Sequence, residues 1–170
     1  AYQMGHRNIG YLKCSTQIPN FIHRFDGFMK ARHMLEPELS KQDPVVFTLP
    51  ANLKESDFNM GKILEQLPDD FKMPTCFLAD LDFIAIGAMM AFKKKGYSIP
   101  DDISLIGYDD IDFSAVTFPS LTTIHLHQRT LARSAVRLLV NKILKQPPCF
   151  SHIQVSSELV VRDSVKNLKK

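Results

Sequence analysis

The sequence predicts an α/β fold, a parallel sheet flanked by helices on both faces. Three observations predict it. Short apolar runs alternate with amphipathic stretches, strand then helix, from Asn8 to Ile106; connections of this kind give parallel strands joined by helical crossovers. The stretch Ile103-Ser104-Leu105-Ile106 is rich in branched apolar residues, as in a strand buried on both faces. It ends in Gly107, Tyr108, Asp109 and Asp110, and in open α/β sheets ligands bind outside the carboxyl ends of the strands.

Taken in order, Asn8 to Leu12 is a strand, and Ser15 to Asn20 is a polar loop with a proline. Phe21, Arg24, Phe25, Phe28, Ala31, Arg32 and Leu35 recur at three and four, the spacing of an amphipathic helix. Asn20 is its expected N-cap, and Pro37 closes it. Pro44 to Leu49 is a second strand, and Phe58, Met60, Ile63, Leu64 and Leu67 mark a second helix that ends at Pro68. Pro74 to Ala79 is a third strand. The run from Phe83 to Phe92 is apolar nearly all round, so this helix is either buried or turns one side to a partner. Three lysines and Gly96 end it, cations at the negative helix terminus and glycine at the C-cap. After Asp110, residues 111–120 read as a loop and Leu121 to Leu126 as extended chain. Leu131, Ala135, Leu138, Leu139 and Ile143 line a third amphipathic helix. Ile153 to Val155 and Glu158 to Arg162 read as two short strands suited to an antiparallel pair.

Composition narrows the function classes. A chain of 170 residues with 45% hydrophobic and 23% charged residues is that of a soluble globular protein with a core of its own. No apolar run approaches the roughly 20 residues of a membrane span. The chain opens at Ala1 and not at methionine, so the lack of a basic-then-apolar leader carries little weight. Cys14, Cys76 and Cys149 are too scattered for a CxxC site and read as reduced, buried thiols of a cytoplasmic protein. The net charge of +3 is small, and Lys145, Arg162, Lys166, Lys169 and Lys170 place much of the positive charge towards the C-terminus. That pattern reads as a solvated tail and not as a nucleic-acid patch. His6, His23, His33, His125, His127 and His152 show no metal-ligand spacing. His125 and His127 would share a face of a strand, but the sequence names no third ligand, so no metal and no cofactor are expected. With no phosphate loop, nucleophile elbow or triad, an enzyme is not expected.

The order of motifs resembles the effector-binding region of the lactose-repressor (LacI/GalR) family along nearly the whole chain. The matching pieces are Gly5-His6-Arg7-Asn8-Ile9, Arg24-Phe25-Asp26-Gly27-Phe28, Asp80-Leu81-Asp82 with Ala85-Ile86-Gly87, the stretch Ile99 to Asp110, Pro119 to Ile124, and Leu159 to Ser164. The resemblance implies a periplasmic-binding-protein-like type I lobe, with a C-terminal crossover helix and strands belonging to an incomplete first lobe. Residues 1–121 would form the C-terminal lobe, 122–150 the crossover and a helix of the other lobe, and 151–170 the returning strands and basic tail. The implied partners are a sugar-like effector, a second copy in a homodimer, and operator DNA reached only through an N-terminal helix-turn-helix head absent from this chain. No membrane is implied.

The resemblance also assigns residues. Arg24 is expected to turn its planar fork to ligand hydroxyls, against the plain alternative of a helix-surface arginine. Asp109 is expected to accept from ligand hydroxyls, with Asp110 the more structural of the two. Asp82 is either a ligand contact or a helix cap, and Asn20 completes the effector set. Leu81 stands where the family usually has a ligand-facing Asn, and Leu126 and Ala132 replace the usual Gln and Gly. Phe83, Ile86, Met89 and Met90 on the apolar helix, with Phe113, Val116 and Phe118 beyond the fourth strand, are expected at the dimer interface. The rival readings are a sugar-binding protein of an ABC transporter and a dimerisation module with a degenerate pocket.

Overall fold

The computed structural model describes residues 1–35, 37, 42–144 and 152–169. Six strands form one sheet in the order β2-β1-β3-β4-β5-β6. They are β1 (Ile9–Cys14), β2 (Val46–Leu49), β3 (Cys76–Ala79), β4 (Ser104–Asp109), β5 (Thr122–Leu126) and β6 (Ser157–Val160). The first five run parallel, and β6 pairs antiparallel with β5. Between them lie α1 (Pro19–Leu35), α2 (Leu53–Gln66), α3 (Asp82–Lys94), the short α4 (Asp112–Val116) and α5 (Gln128–Ile143).

On one face of the sheet α1 lays Phe25 and Phe28 against Tyr11, with ring centroids 5.1 and 5.0 Å away. The other face carries the main core. Leu12, Leu49, Phe77, Phe92, Ile84, Leu105 and Leu121 are fully buried there, and Phe47, Phe77 and Phe92 form a row of rings under 6 Å apart. Burying one such side chain contributes roughly 1.5–3 kcal/mol. α2 packs close across α3 because Gly87 has no side chain: a Cβ there would lie 2.5 Å from Ser56. Gly87 is thus a packing residue.

The expected strand–helix order is present, with several differences. Residues 111–120 hold a helical turn, α4, because Ser114 is buried and bonded to α3. Ile153 to Val155 is not a strand; only β6 joins the sheet there. The boundary expected at residue 121 does not divide the sheet: β5 and β6 belong to it, held by parallel pairing of Thr122–His125 with Ile106–Asp109. The C-terminal segment is docked, correcting the expectation of a solvated tail. The Ser164 hydroxyl donates to the Leu105 carbonyl at 2.6 Å, its carbonyl accepts from Leu105 N–H at 2.8 Å, and His6 meets the Lys166 carbonyl at 3.0 Å. Backbone groups at the open end of β4 find their partners in this segment, and that need fixes its path. Lys145 and Lys170 lie outside the described residues.

α5 stands apart. None of its residues is buried, and Leu131, Leu139 and Ile143 are exposed. Cys14 and Cys76 are buried free thiols, as expected, and burial pushes the Cys76 thiol up to about 12; Cys149 lies outside the described residues. Among the described residues, no helix is long and apolar enough to cross a membrane.

Candidate functional site

The carboxyl ends of β1, β3 and β4 converge beside α1, and Arg24 and Asp109 meet there. The first turns of α1 bring the Arg24 guanidinium flat over the Tyr108 ring, 3.6 Å from its centroid. One Arg24 nitrogen donates to the Asp80 carbonyl, and another lies 3.5 Å from Asp109 Oδ1. The stack and the carbonyl fix the plane of the fork. Both side chains stay open enough to meet a ligand, at 17% and 23% exposure. Among the described residues, Arg24 is the one polar partner of the Asp109 side chain.

Asp109 lies in a left-handed conformation with φ +114°, and Asp110 follows with φ +53°. Such backbone costs on the order of 1–3 kcal/mol for a residue with a side chain. Burial pushes the Asp109 carboxyl up to about 6; Arg24 opposes this and Asp82 adds to it. Asp110 is different. Burial again acts to raise its pKa, but hydrogen bonds and charges from Arg162 and His125 hold it below the usual carboxylate range. Arg162 donates to it at 2.6 Å, and His125 Nδ1 lies 2.9 Å away. The partners of Asp110 are therefore side chains, and its role is to join β4 to the C-terminal segment. A cleft of about 550 Å³ opens beyond, lined by Asp109, Asp110, His125, His127 and Arg129 among others.

Asp82 is not available to a ligand and does not cap α3. It is the first residue of the helix, only 1% exposed. Its Oδ2 accepts from Ile111 N–H at 3.0 Å and the Ser114 hydroxyl at 2.6 Å, and its Oδ1 from the Thr123 hydroxyl at 2.5 Å. It ties α3, α4 and β5 together. Gly107 makes room for it, since a Cβ there would lie 2.0 Å from Asp82 Oδ1. Asn20 is the second residue of α1, exposed and not the cap, because Pro19 begins the helix. Among the described residues it has no bond to Arg24 or Asp109.

Leu81, extended at φ −144°, packs against the core. Asp80 does not replace the missing polar group. It is fully buried, accepting from the Tyr11 hydroxyl and Cys14 N–H, both at 2.6 Å. Sequence reasoning missed Tyr108 as the platform under Arg24, and missed Asp80 as the residue whose backbone orients it. Tyr108 had a signal, an aromatic directly before the candidate carboxylate; Asp80 had none, because its partner is a backbone carbonyl.

The expected dimer residues divide. Ile86 and Met89 are buried, at 2% and 3% exposure, so they belong to this chain's own core. Phe83, Met90, Phe113, Val116 and Phe118 are exposed, Phe118 at 90%.

Comparison with known proteins agrees with this architecture. Residues 2–165 match the family of periplasmic binding protein-like domains. The HTH-type transcriptional repressors PurR of Mannheimia succiniciproducens and Histophilus somni are 34% and 35% identical to the chain, each over 164 residues. These matches cover 96% of the chain and 47% of each relative, so the chain spans about half the length of the curated relatives it matches. A LacI family transcriptional regulator from Enterococcus faecium with bound ribose superposes with a TM-score of 0.83 at 24% identity, covering 99% of this chain and 60% of that one. A sugar-binding LacI-family regulator from Escherichia coli complexed with phosphate gives 0.80 at 24% identity, covering 98% and 57%. The fold is an α/β lobe with polar groups gathered at the carboxyl end of a parallel sheet, where ligands bind in open α/β sheets. The chain belongs to the periplasmic binding protein-like domain family, as an effector-binding region of the LacI/GalR type.

Proposed function

We propose that this chain is the ligand-sensing and dimerisation region of a bacterial transcriptional regulator of LacI type. It binds a small effector, a sugar or sugar derivative, between this lobe and a second one to which α5 belongs. Operator binding is assigned to a helix-turn-helix of the full-length protein, the element that the relatives' names carry. The effector shifts the two lobes relative to each other, and so the affinity of that head for DNA.

The observation that carries the reading is the Arg24–Asp109 pair at the mouth of the sheet, 3.5 Å apart and partly exposed. A guanidinium locked in plane supplies donors, and the carboxylate beside it supplies acceptors. Together they suit the alternating donors and acceptors of a polyol. Titration calorimetry of the full-length protein against a panel of sugars and phosphosugars tests this. Binding by at least one of them, weakened about tenfold or more by Arg24→Ala, is expected. Silence across the panel overturns the sugar assignment.

Leu81 favours a second reading, a dimerisation module with a degenerate pocket. Leu81 stands where the family usually has a ligand-facing Asn but packs against the core, so this position offers a ligand no hydrogen-bonding group, and unpaired ligand hydroxyls cost affinity. Leu81→Asn distinguishes the two: gained affinity for a sugar supports a working pocket with one apolar wall, and none in any sugar supports the module.

A further inference from the structure

We propose that His125, His127 and Glu158 form a binding site for a divalent transition metal of the zinc type. No residue of this set belongs to the effector pair described above, and the inference stands without the regulatory reading.

The sheet brings the three together. His125 lies opposite Glu158 in the antiparallel β5–β6 pair. Facing residues on such a pair have Cβ atoms roughly 4.5–5.5 Å apart. His127 follows two residues on, at the N-cap position of α5, and its ring centroid is 5.0 Å from that of His125 at an interplanar angle of 75°. One ligand atom from each of the three lies within 4.8 Å of the other two. Zinc bonds to nitrogen and oxygen of about 2.0–2.2 Å set ligand atoms roughly 3.3 Å apart in a tetrahedron. Closing the difference takes small rotations of side chains. The side chains of His127 and Glu158 are free to make them, having no hydrogen bond or ion pair of their own among the described residues.

His125 is held in the arrangement typical of a metal-bound imidazole. Its Nδ1 lies 2.9 Å from Asp110 Oδ2, while Arg162 grips the other oxygen of the same carboxylate at 2.6 Å. A carboxylate paired with arginine is an acceptor, so His125 Nδ1 donates to it and Nε2 is the ring nitrogen left for a metal. The chain of Arg162, Asp110 and His125 fixes ring orientation and tautomer, the outer-shell support that raises ligand basicity.

The donor set chooses the ion. Two imidazoles and one carboxylate suit Zn²⁺, Ni²⁺ or Co²⁺, with water completing the coordination. Mg²⁺ and Ca²⁺ prefer all-oxygen shells, and Cu⁺ prefers sulfur. A bound ion would tie the end of β5 and the N-cap residue of α5 to β6.

The test is calorimetric titration of the chain, in a Cys149→Ser background, with ZnCl₂ at neutral pH, and with MgCl₂ in parallel. One zinc per chain and no magnesium response are expected. His127→Ala and Glu158→Gln should each weaken zinc binding about tenfold or more, while His23→Ala, at an exposed histidine of α1, should not. Glu158 is exposed and His127 half-buried, with no side-chain hydrogen bond to lose at either, so the apo variants should melt close to the wild type by circular dichroism. Zinc should raise the melting temperature of the wild type alone. As a check independent of any variant, Co²⁺ should broaden the NMR ring signals of His125 and His127 before those of the other histidines. No zinc binding at micromolar concentration, or a folded double variant that binds zinc as tightly as the wild type, overturns the proposal.

Discussion

Asp109 has a carboxyl pushed up to about 6 by burial, against an ordinary 3.8. The folded protein therefore holds this proton more tightly than the unfolded chain. Stability from this group is complete below about pH 4, declines as pH rises, and is gone above about pH 6. Asp109→Asn removes the ionisation and keeps a residue that tolerates positive φ. The variant should be more stable than the wild type at neutral pH, by about 1–2 kcal/mol after allowance for solvent exposure, and the gain should vanish near pH 4. Urea melts at the two pH values check it; a gain that is equal at both refutes the assignment. Asp82 has the opposite character. Asp82→Ala leaves Ile111 N–H and the Ser114 and Thr123 hydroxyls without their acceptor. The loss should be about 3–5 kcal/mol, read as a lowered urea midpoint. Sequence alone left Asp82 between cap and ligand contact. The competing partners lie up to 41 residues away, at Thr123, and no spacing rule reaches that far.

Helix α3 is apolar nearly all round and α5 is amphipathic, and they ask for different partners. α3 buries most of its length, Ile86 and Met89 included, inside this chain. What it leaves exposed, Phe83 and Met90, forms with Phe113, Val116 and Phe118 the apolar surface proposed for a second copy. Phe113→Asp with Phe118→Asp should shift the full-length protein from dimer to monomer in sedimentation equilibrium, with little change in its melting temperature. An unaltered dimer moves the interface elsewhere. α5 buries nothing against this chain. Leu139→Glu should therefore change the stability of the isolated chain by less than about 0.5 kcal/mol, whereas Leu12→Ala, in the core, should cost about 2–5 kcal/mol. A large effect at Leu139 would mean that α5 packs on this chain after all. Periodicity showed each helix to be amphipathic or apolar. Which side met which neighbour depended on the packing of α2 over α3, and so on Gly87 against Ser56.

At the scale of the molecule, the last described segment acts as a strap. Arg162 joins Asp110 and the Leu121 carbonyl, and Ser164 joins Leu105 and Thr122. Ser164→Ala strips the Thr122 amide of its acceptor and should destabilise the chain by about 1–3 kcal/mol, measured by chemical denaturation. A neutral substitution would mean that the strap is dispensable. The sheet runs past the boundary expected at residue 121, because β6, which leads into the strap, pairs antiparallel with β5. Basic residues at a chain's end look solvated when only their charge is counted. Here the backbone of that segment completes the hydrogen bonding of β4, and the lysine side chains merely follow.

By itself the sequence determined the class of fold and the order of the first four strands along the chain, which are written in local periodicity; Arg24 and Asp109 were singled out by the motifs of the family resemblance. Tertiary structure alone decided that Asp82 is walled in and that Tyr108 and Asp80 hold Arg24 in plane. It alone set Glu158 beside His125 and His127. The physical reason is common to all three. Hydrophobic period and helix caps act within a few residues, whereas polar groups are satisfied by whatever the sheet brings next to them.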